Sequence, residues 1–446
     1  MQRRALQSEL ARLRRAREPL MGDTRILRVF GAVNIGSFRV SAMIVGQDDT
    51  GAMRVLGSAH RMSEGVKRGY ITDMRAASHA IRQVVEKAER EAGTSVSSVW
   101  LGCSGAGLAS KLASVEIAIG GRRIEEADIE HLLYAARDHI QPDGRMVLHA
   151  QPAHYTLDGA HGVADPKGLH AEALGVDIHV TLADGAPVRN LIEAVQGAHL
   201  DVEAVVASPL ASAYACLSRE ERELGVALIE IGAEVTNASV FAANMLLGLK
   251  SIPIGSNDIT DAIASTLGIR RGQAERLKCV SGSAIAAPSD RREMIPVHGP
   301  GETPDGRLAR GADEHNRIPR AELVGVVTDR LSYLSSEVGK ALKSMGFGGP
   351  QSGQVVLTGG GAELHGIADY MQVALGRPVR IGKAAELSGL PEAHATPGFA
   401  TLAGLCLYAA DDPVDIRSIG PGDSEPHGYG TGAIIARVMR AVRQYF

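Results

Sequence analysis

Residues 225–242 read GVALIEIGAEVTNASVFA, and the fold follows from this stretch. GVALIEI is a nearly unbroken apolar run, the pattern of a strand covered on both faces. The chain turns at GAEVT and returns as NASVFA, which makes the segment a hairpin. Residues 26–45, ILRVFGAVNIGSFRVSAMIV, follow the same plan, with strands at 26–33 and 38–45 and a turn Asn34-Ile35-Gly36-Ser37 between them. Two such hairpins, roughly 200 residues apart, suggest a duplicated architecture rather than a sequence repeat.

Outward from the hairpins, residues 75–92 carry Ala77, Ile81, Val84, Val85 and Ala88 on one helical face. VSSVWL at 96–101 reads as a strand, and 102–183 alternates strand-like and helical patches around the helix IEEADIEHLLYAARDHI. A helix at 187–198 is followed by the strand VEAVVASP at 202–209, which enters the helix LASAYACL. Past the second hairpin, 258–280 is helical, 281–318 is loop-rich with short strands, and 320–345 is a long amphipathic helix. QVVLT at 354–358 is a strand running into three glycines and then a helix. From 411 the sequence DDPVDIRSIGPGDSEPHGYGTG has three prolines and five glycines without apolar periodicity, the composition of a flexible tether.

Bulk properties exclude several classes. The chain has 446 residues, enough for two to four domains, with formal net charge −4. That charge, with 4% aromatic residues, gives no reason to expect nucleic acid. Cys103, Cys216, Cys279 and Cys406 lie far apart, without the spacing of a zinc site, and fit a reducing compartment. The fifteen histidines fall in no ligand pattern, so no metal is expected. No apolar run approaches the ~20 residues of a membrane span. The first twenty residues hold six arginines and no apolar core, so they are not a secretory signal. They read as a solvated basic helix, with a second membrane-surface contact as the rival reading and Met21 as an alternative start.

Three segments share one physical task, because backbone N–H groups in tight glycine turns can hold a phosphate chain. They are Asn34-Ile35-Gly36-Ser37, Gly232-Ala233-Glu234-Val235 and Thr358-Gly359-Gly360-Gly361-Ala362. In this order they resemble the actin, heat-shock-chaperone and sugar-kinase superfamily. RMSEGVKRGYITDM at 61–74, VLHAQPAHYTLDGAHGVADPKGLHAEALGVDIHV at 147–180, SPLASAYACLSREERELGVALIEIG at 208–232, AERLK at 274–278 and VVLTGGGAELHGIADY at 355–370 are similar to the bacterial FtsA family. The resemblance covers roughly 24–410 and resumes at the C-terminus.

It implies an α/β, actin-like (ribonuclease-H-like) two-lobed fold. On this sequence 22–101 with 184–215 would form the first subdomain and 102–183 the FtsA-type insert. Residues 216–260 with 345–410 would form the second subdomain, and 261–344 its small companion. A basic extension at 1–21, a linker at 411–431 and a helix at 432–446 would complete the chain.

The resemblance also implies a nucleotide site, with ATP and Mg²⁺ as ligand and no catalytic residue that can be carried over. Its positions here are Asn34, Gly36, Ser37 and Arg39; Glu230, Gly232, Ala233, Glu234 and Val235; Glu275 and Lys278; and Gly359, Gly360 and Gly361. Several depart from the family pattern. Asn34 stands where the family has a carboxylate, and brings no charge to a hydrated Mg²⁺. Arg39 stands for a lysine, and Glu230 for an aspartate one methylene shorter. Ala233 and Val235 add side chains where the backbone should be bare. A Glu234 carboxylate ~5 Å from a phosphate would be repelled by about 3 kcal/mol per charge at an effective dielectric of ~20. It can instead swing into solvent. The expectation is weak Mg-ATP binding and weak or absent hydrolysis, the alternative being that these loops serve only as hairpins.

GAIIARVMRAVRQYF, residues 432–446, is informative without any family. At 100° per residue, Ile434, Ile435, Val438, Met439, Ala441, Val442, Tyr445 and Phe446 fill one arc of ~160°. Arg437, Arg440, Arg443 and Gln444 fill the opposite ~120°. An apolar face against an arginine face, after a tether, reads as a helix lying in an anionic membrane interface. The alternative is a helix packing on its own domain. FtsA proteins end in such a helix. The resemblance implies a peripheral protein on the cytoplasmic face of the inner membrane at the division site. Its partners would be the FtsZ C-terminal peptide at 261–344, further copies of itself and later division proteins. The competing functions are an actin-fold adaptor of a pilus-assembly or other membrane complex, and an ATP-hydrolysing actin-like enzyme.

Overall fold

The computed structural model describes residues 26–418, apart from 106, 164, 298–316, 350–352 and 385–386. The basic N-terminal extension and the helix expected at 432–446 lie outside the described residues.

The first lobe opens with β1 (Ile26–Ile35), β2 (Arg39–Asp48) and β3 (Met53–Met62), then the two-residue strands β4 (Val66–Lys67) and β5 (Tyr70–Ile71). Helix α1 (Met74–Ala92) and β6 (Ser98–Cys103) follow. Asp73 caps α1 by accepting from the Ala76 N–H, and Gly93 ends it in the left-handed region at φ 67°. The five apolar residues expected on one face of this helix are all buried. The insert runs β7 (Ala109–Ala118), α2 (Glu126–His139), β8 (Met146–Leu157), β9 (Ala160–Val163) and β10 (Ala173–Ala183). The chain returns through α3 (Gly185–Gln196), β11 (Asp201–Ala207), α4 (Ser208–Cys216) and α5 (Arg219–Leu224).

The second lobe contains β12 (Val226–Ile231), β13 (Thr236–Ala242), β14 (Met245–Ile252), α6 (Ser256–Leu267) and α7 (Arg271–Ser281). Strands β15 (Met294–Pro296) and β16 (Arg317–Pro319), helix α8 (Arg320–Ser344), β17 (Val355–Thr358), α9 (Ile367–Leu375), β18 (Val379–Ile381) and α10 (Ala400–Asp411) complete it.

The two lobes share one topology. In the first, β1–β2–β3 form an antiparallel meander, and β6 then β11 add in parallel beside β1. In the second, β12–β13–β14 form the meander, and β17 then β18 add in parallel beside β12. The duplication inferred from the hairpins is therefore a duplication of whole sheets, and the fold is actin-like. Strand β12 is buried along its whole length, as its apolar run requires. Helix α10, ATLAGLCLYAAD, is apolar nearly all round and accordingly buried between the lobes, where it packs on α4.

The insert forms a sheet in the order β7-β10-β8-β9, with Ile129, Leu132, Leu133, Tyr155 and Ile178 in its core. That sheet does not end at β7. Lys250 of β14 pairs with Ala109 of β7, and the Ser251 N–H donates to the Leu108 carbonyl at 3.1 Å. One nine-stranded sheet thus runs from the second lobe through the insert.

Three local expectations need correction. The helix expected over 258–280 is two helices, because Gly268 takes φ 63° and caps the first of them. The glycines of 359–361 lead into a 3₁₀ turn, Gly360–Glu363, and the next α-helix begins only at Ile367. The chain beyond α10 does not become a free tether at 411. Val414 and Ile416 are buried in the insert's core, the Ala150 N–H donates to Asp415, and Arg417 donates to the Val147 carbonyl at 2.8 Å. Glycine and proline density hid two apolar anchors spaced i, i+2.

Candidate functional site

Between the lobes lies a cleft of about 480 Å³, within the range of small-molecule sites. All fourteen residues selected from the sequence line it. The end of β1 supplies Asn34 and the turn after it Gly36 and Ser37, with Arg39 at the start of β2. The turn after β12 supplies Gly232, Ala233, Glu234 and Val235, with Glu230 beneath it. Both turns close by the same backbone bond, Gly36 N–H to the Arg39 carbonyl at 3.0 Å and Gly232 N–H to the Val235 carbonyl at 2.9 Å. Gly359, Gly360 and Gly361 form the third side. Side chains at Gly359 or Gly361 would collide with Ile231, whereas Gly360 has open space beyond it. Two of these glycines therefore serve the close approach to β12, and Gly360 alone meets nothing on the side a Cβ would occupy.

Glu230 is buried and engaged through both oxygens. Its Oε2 accepts from Ser208 Oγ at 2.6 Å and Asn237 Nδ2 at 3.0 Å. Its Oε1 accepts from Thr401 Oγ1 at 2.5 Å and Ser212 Oγ at 3.3 Å. A carboxylate offers about four acceptor sites; here Ser208, Asn237 and Thr401 donate to three, and Ser212 shares its one proton between Glu230 and Thr401 Oγ1 at 2.9 Å. Asn34 Oδ1 is buried without a partner among the described residues and turns toward Gly102, where an added Cβ would lie 2.9 Å from it. The Asn237 Oδ1 is likewise sealed and has no partner among the described residues. Beside the two hairpin turns the cleft thus offers two neutral amides whose oxygens are buried, and one carboxylate with protein donors on both of its oxygens. Residues 230, 34 and 237 do not fit a hydrated dication.

The cations are also committed. Arg39 donates to the Gly398 carbonyl at 2.5 Å and lies over the Phe399 ring at 3.9 Å. Burial lowers its guanidinium from the ordinary value, against the field of Glu363. Lys278 is buried and spends its three protons on Glu275 at 2.8 Å, Thr260 Oγ1 at 2.8 Å and the Ser256 carbonyl at 3.2 Å. Burial would raise the Glu275 carboxyl, but hydrogen bonds from Lys278 and Thr260 outweigh it and hold it below the usual range. Helices α6 and α7 build this pair together, and Glu275 keeps acceptor capacity toward the cleft.

Sequence reasoning missed the bed beneath Glu230. Ser208 and Ser212 stand one turn apart on α4, so both hydroxyls face one strand, and that i, i+4 pair was the available signal. Thr401 and Asn237 complete the bed. Thr401 comes from a distant part of the chain and carried no local signal, whereas Asn237 is the strand partner of Glu230 in the same hairpin.

Two sheets of one topology, closed around a cleft with three glycine turns, define a protein of the actin superfamily. A profile described as "Cell division protein FtsA" matches residues 227–404, and one described as "SHS2 domain inserted in FTSA" matches 105–182. The cell division protein FtsA of Agrobacterium fabrum is 35% identical over 426 residues, covering 96% of this chain and 94% of that protein. That of Escherichia coli K12 is 27% identical over 380 residues, covering 85% and 90%. The chain belongs to the FtsA family, and so among cell-division proteins. Similarity in fold extends to a solved PilM–PilN type IV pilus biogenesis complex, with TM-score 0.58 and 17% identity over 85% of this chain and 98% of that one. It extends also to MreB 5 of Spiroplasma citri bound to AMPPNP, with TM-score 0.51 and 13% identity over 86% and 96%.

Proposed function

We propose that this chain is a division adaptor, whose body assembles on FtsZ and on further copies of itself and whose C-terminal helix holds the assembly against the cytoplasmic face of the inner membrane. Later division proteins would be recruited onto that assembly. The observation that carries the reading is the separation of apolar and arginine arcs over 432–446 in a member of the FtsA family. Three arginines near an anionic leaflet contribute about 3 kcal/mol. Partial burial of the apolar arc adds several more, less the cost of ordering a helix too short to be stable in water. One copy binds reversibly, and an array of copies binds stably by effective concentration. The FtsZ peptide docks on the small subdomain of the second lobe, around α6, α7 and α8.

In the same reading the cleft binds nucleotide weakly, with negligible turnover. Two MreB 5 structures of this fold hold ADP and AMPPNP, which supports nucleotide as the ligand class. The donor set at Asn34, Glu230 and Asn237 supports the loss of hydrolysis. The deciding experiment is co-sedimentation with anionic liposomes of the full chain and of a chain ending at 431. Only the full chain should pellet. Equal pelleting would move the anchor elsewhere, with the arginine-rich first twenty residues as the next candidate.

A further inference from the structure

Glu234 neither faces an open phosphate site nor swings into solvent. Its turn is pinned from behind, because the Ser256 and Asn257 N–H groups at the start of α6 donate to the Gly232 and Ala233 carbonyls at 2.9 and 2.7 Å. From that fixed turn its Oε2 crosses the cleft and accepts the Arg68 N–H of the first lobe at 2.5 Å. The next amide, Gly69 N–H, donates to Ser37 Oγ in the first turn at 3.2 Å. Two consecutive backbone donors facing the gap between the hairpins are therefore already used, one by a carboxylate and one by a hydroxyl. In a phosphate-binding cleft such donors greet the ligand's oxygens.

The charge balance agrees. Arg39, Lys278 and Arg320 are the cleft's arginines and lysine, set against Glu230, Glu234, Glu275 and Glu363. Arg39 is tied to Gly398, Lys278 to Glu275, and Arg320 to Glu293 at 3.1 Å. Among the described residues, Lys278 and Arg320 are thus neutralised by carboxylates, and Arg39, tied to a backbone carbonyl and lying over Phe399, is the single cation left to meet added phosphate charge. At another part of the lining, the Glu275–Lys278 pair is built firmly between two helices.

We infer that the Glu234 carboxylate stands in for the terminal phosphate of a nucleotide, bridging the two lobes itself. The cleft then takes a nucleoside mono- or diphosphate in preference to a triphosphate, and takes it without a divalent cation. This inference rests on the nucleotide-binding reading of the cleft. It assigns Glu234 as the specificity residue and makes its bond to Arg68 a clasp that substitutes for ligand contacts.

The test is calorimetric titration of the full chain with AMP, ADP and ATP, each with Mg²⁺ and with excess EDTA. AMP or ADP should bind at least tenfold tighter than ATP, and EDTA should change neither affinity more than twofold. Glu234→Gly frees the Arg68 N–H and removes the charge, and should raise the ratio of ATP affinity to AMP affinity at least tenfold. A cooperative urea transition, followed by the emission of the buried Trp100, reports that the variant is folded. Wild-type binding of Mg-ATP as tight as ADP, lost on chelation, would overturn the inference and leave the nucleotide reading intact. If wild type bound none of the three but Glu234→Gly bound ATP, the nucleotide reading of the native chain would fail while the blocking role of Glu234 survived. Silence from both proteins would refute both.

Discussion

Gly404→Ala is expected to loosen the contact that holds the cleft's floor together. Gly404 lies mid-way along α10, where that helix crosses α4, and a Cβ there would sit 1.9 Å from the Ala211 carbonyl oxygen and 2.5 Å from its carbon. Carbon–oxygen contacts settle near ~3.3 Å, so the helices must part by more than about 1 Å. Such overpacking costs about 1–3 kcal/mol, and a gap of that size forfeits up to half the dispersion energy of the surrounding contacts. Against this, Ala is favoured over Gly in a helix by about 1 kcal/mol. The net expectation is a loss of about 2 kcal/mol. Trp100 is the only tryptophan, is buried, and lies 6.0 Å from the Tyr408 ring on α10, so urea unfolding can be followed by its emission. The same displacement draws Thr401 away from Glu230, so nucleotide affinity should fall together with stability. An unfolding midpoint equal to or above wild type would mean that helix propensity wins, and that the close crossing is not required.

Val438→Glu places a charge on the apolar arc of the C-terminal segment and should release the chain from anionic liposomes at all salt concentrations; undiminished pelleting would contradict the arc assignment. Arg440→Glu should weaken the same binding mainly at low salt, since the lost attraction is screened; a salt-independent effect would count against it. Asn34→Asp combined with Glu234→Gly should tighten Mg-ATP binding at least tenfold by calorimetry, and an unchanged affinity would show that charge is not what limits the site. Burial depresses the His149 and His394 imidazoles to about 4 and that of His179 to about 3. Their folded values lie below the unfolded one, so stability is present above pH ~6.5 and is lost as pH falls toward ~4. Neither ring nitrogen of His179 has a hydrogen-bond partner among the described residues. His179→Leu should therefore be neutral at pH 7.5 and reduce the loss between pH 7 and 5 by up to about 2 kcal/mol in urea titrations, and equal acid sensitivity would refute this.

The fold was legible because its two hairpins are buried on both faces and so appear as long apolar runs beside glycine turns. The lining of the cleft was legible because tight glycine turns survive as short local strings. Side-chain direction was not legible. Glu234 was expected near a phosphate or in solvent, and it reaches instead to Arg68, distant in sequence, because the fixed turn aims it across the cleft. Glu230 was recognised as a retained carboxylate, yet its hydrogen bonding depends on Ser208, Ser212, Asn237 and Thr401 meeting in space. The apparent tether concealed Val414 and Ile416, because two apolar residues among glycines and prolines have no periodicity to detect.

The seam between β14 and β7 makes the insert a mechanical lever. Peptide bonds fix the insert to the first lobe at both of its ends, while the pairing of Lys250 with Ala109 and the bond from Ser251 to Leu108 stitch it to the second. The insert is therefore held to both lobes. A rotation that widens the cleft must either unpick the stitch, at about 0.5–1.5 kcal/mol for each backbone bond, or swing the insert with it. In the second case a small change of angle at the cleft becomes a larger displacement at the far strand, β9. The width of the cleft is then readable at a distance from it.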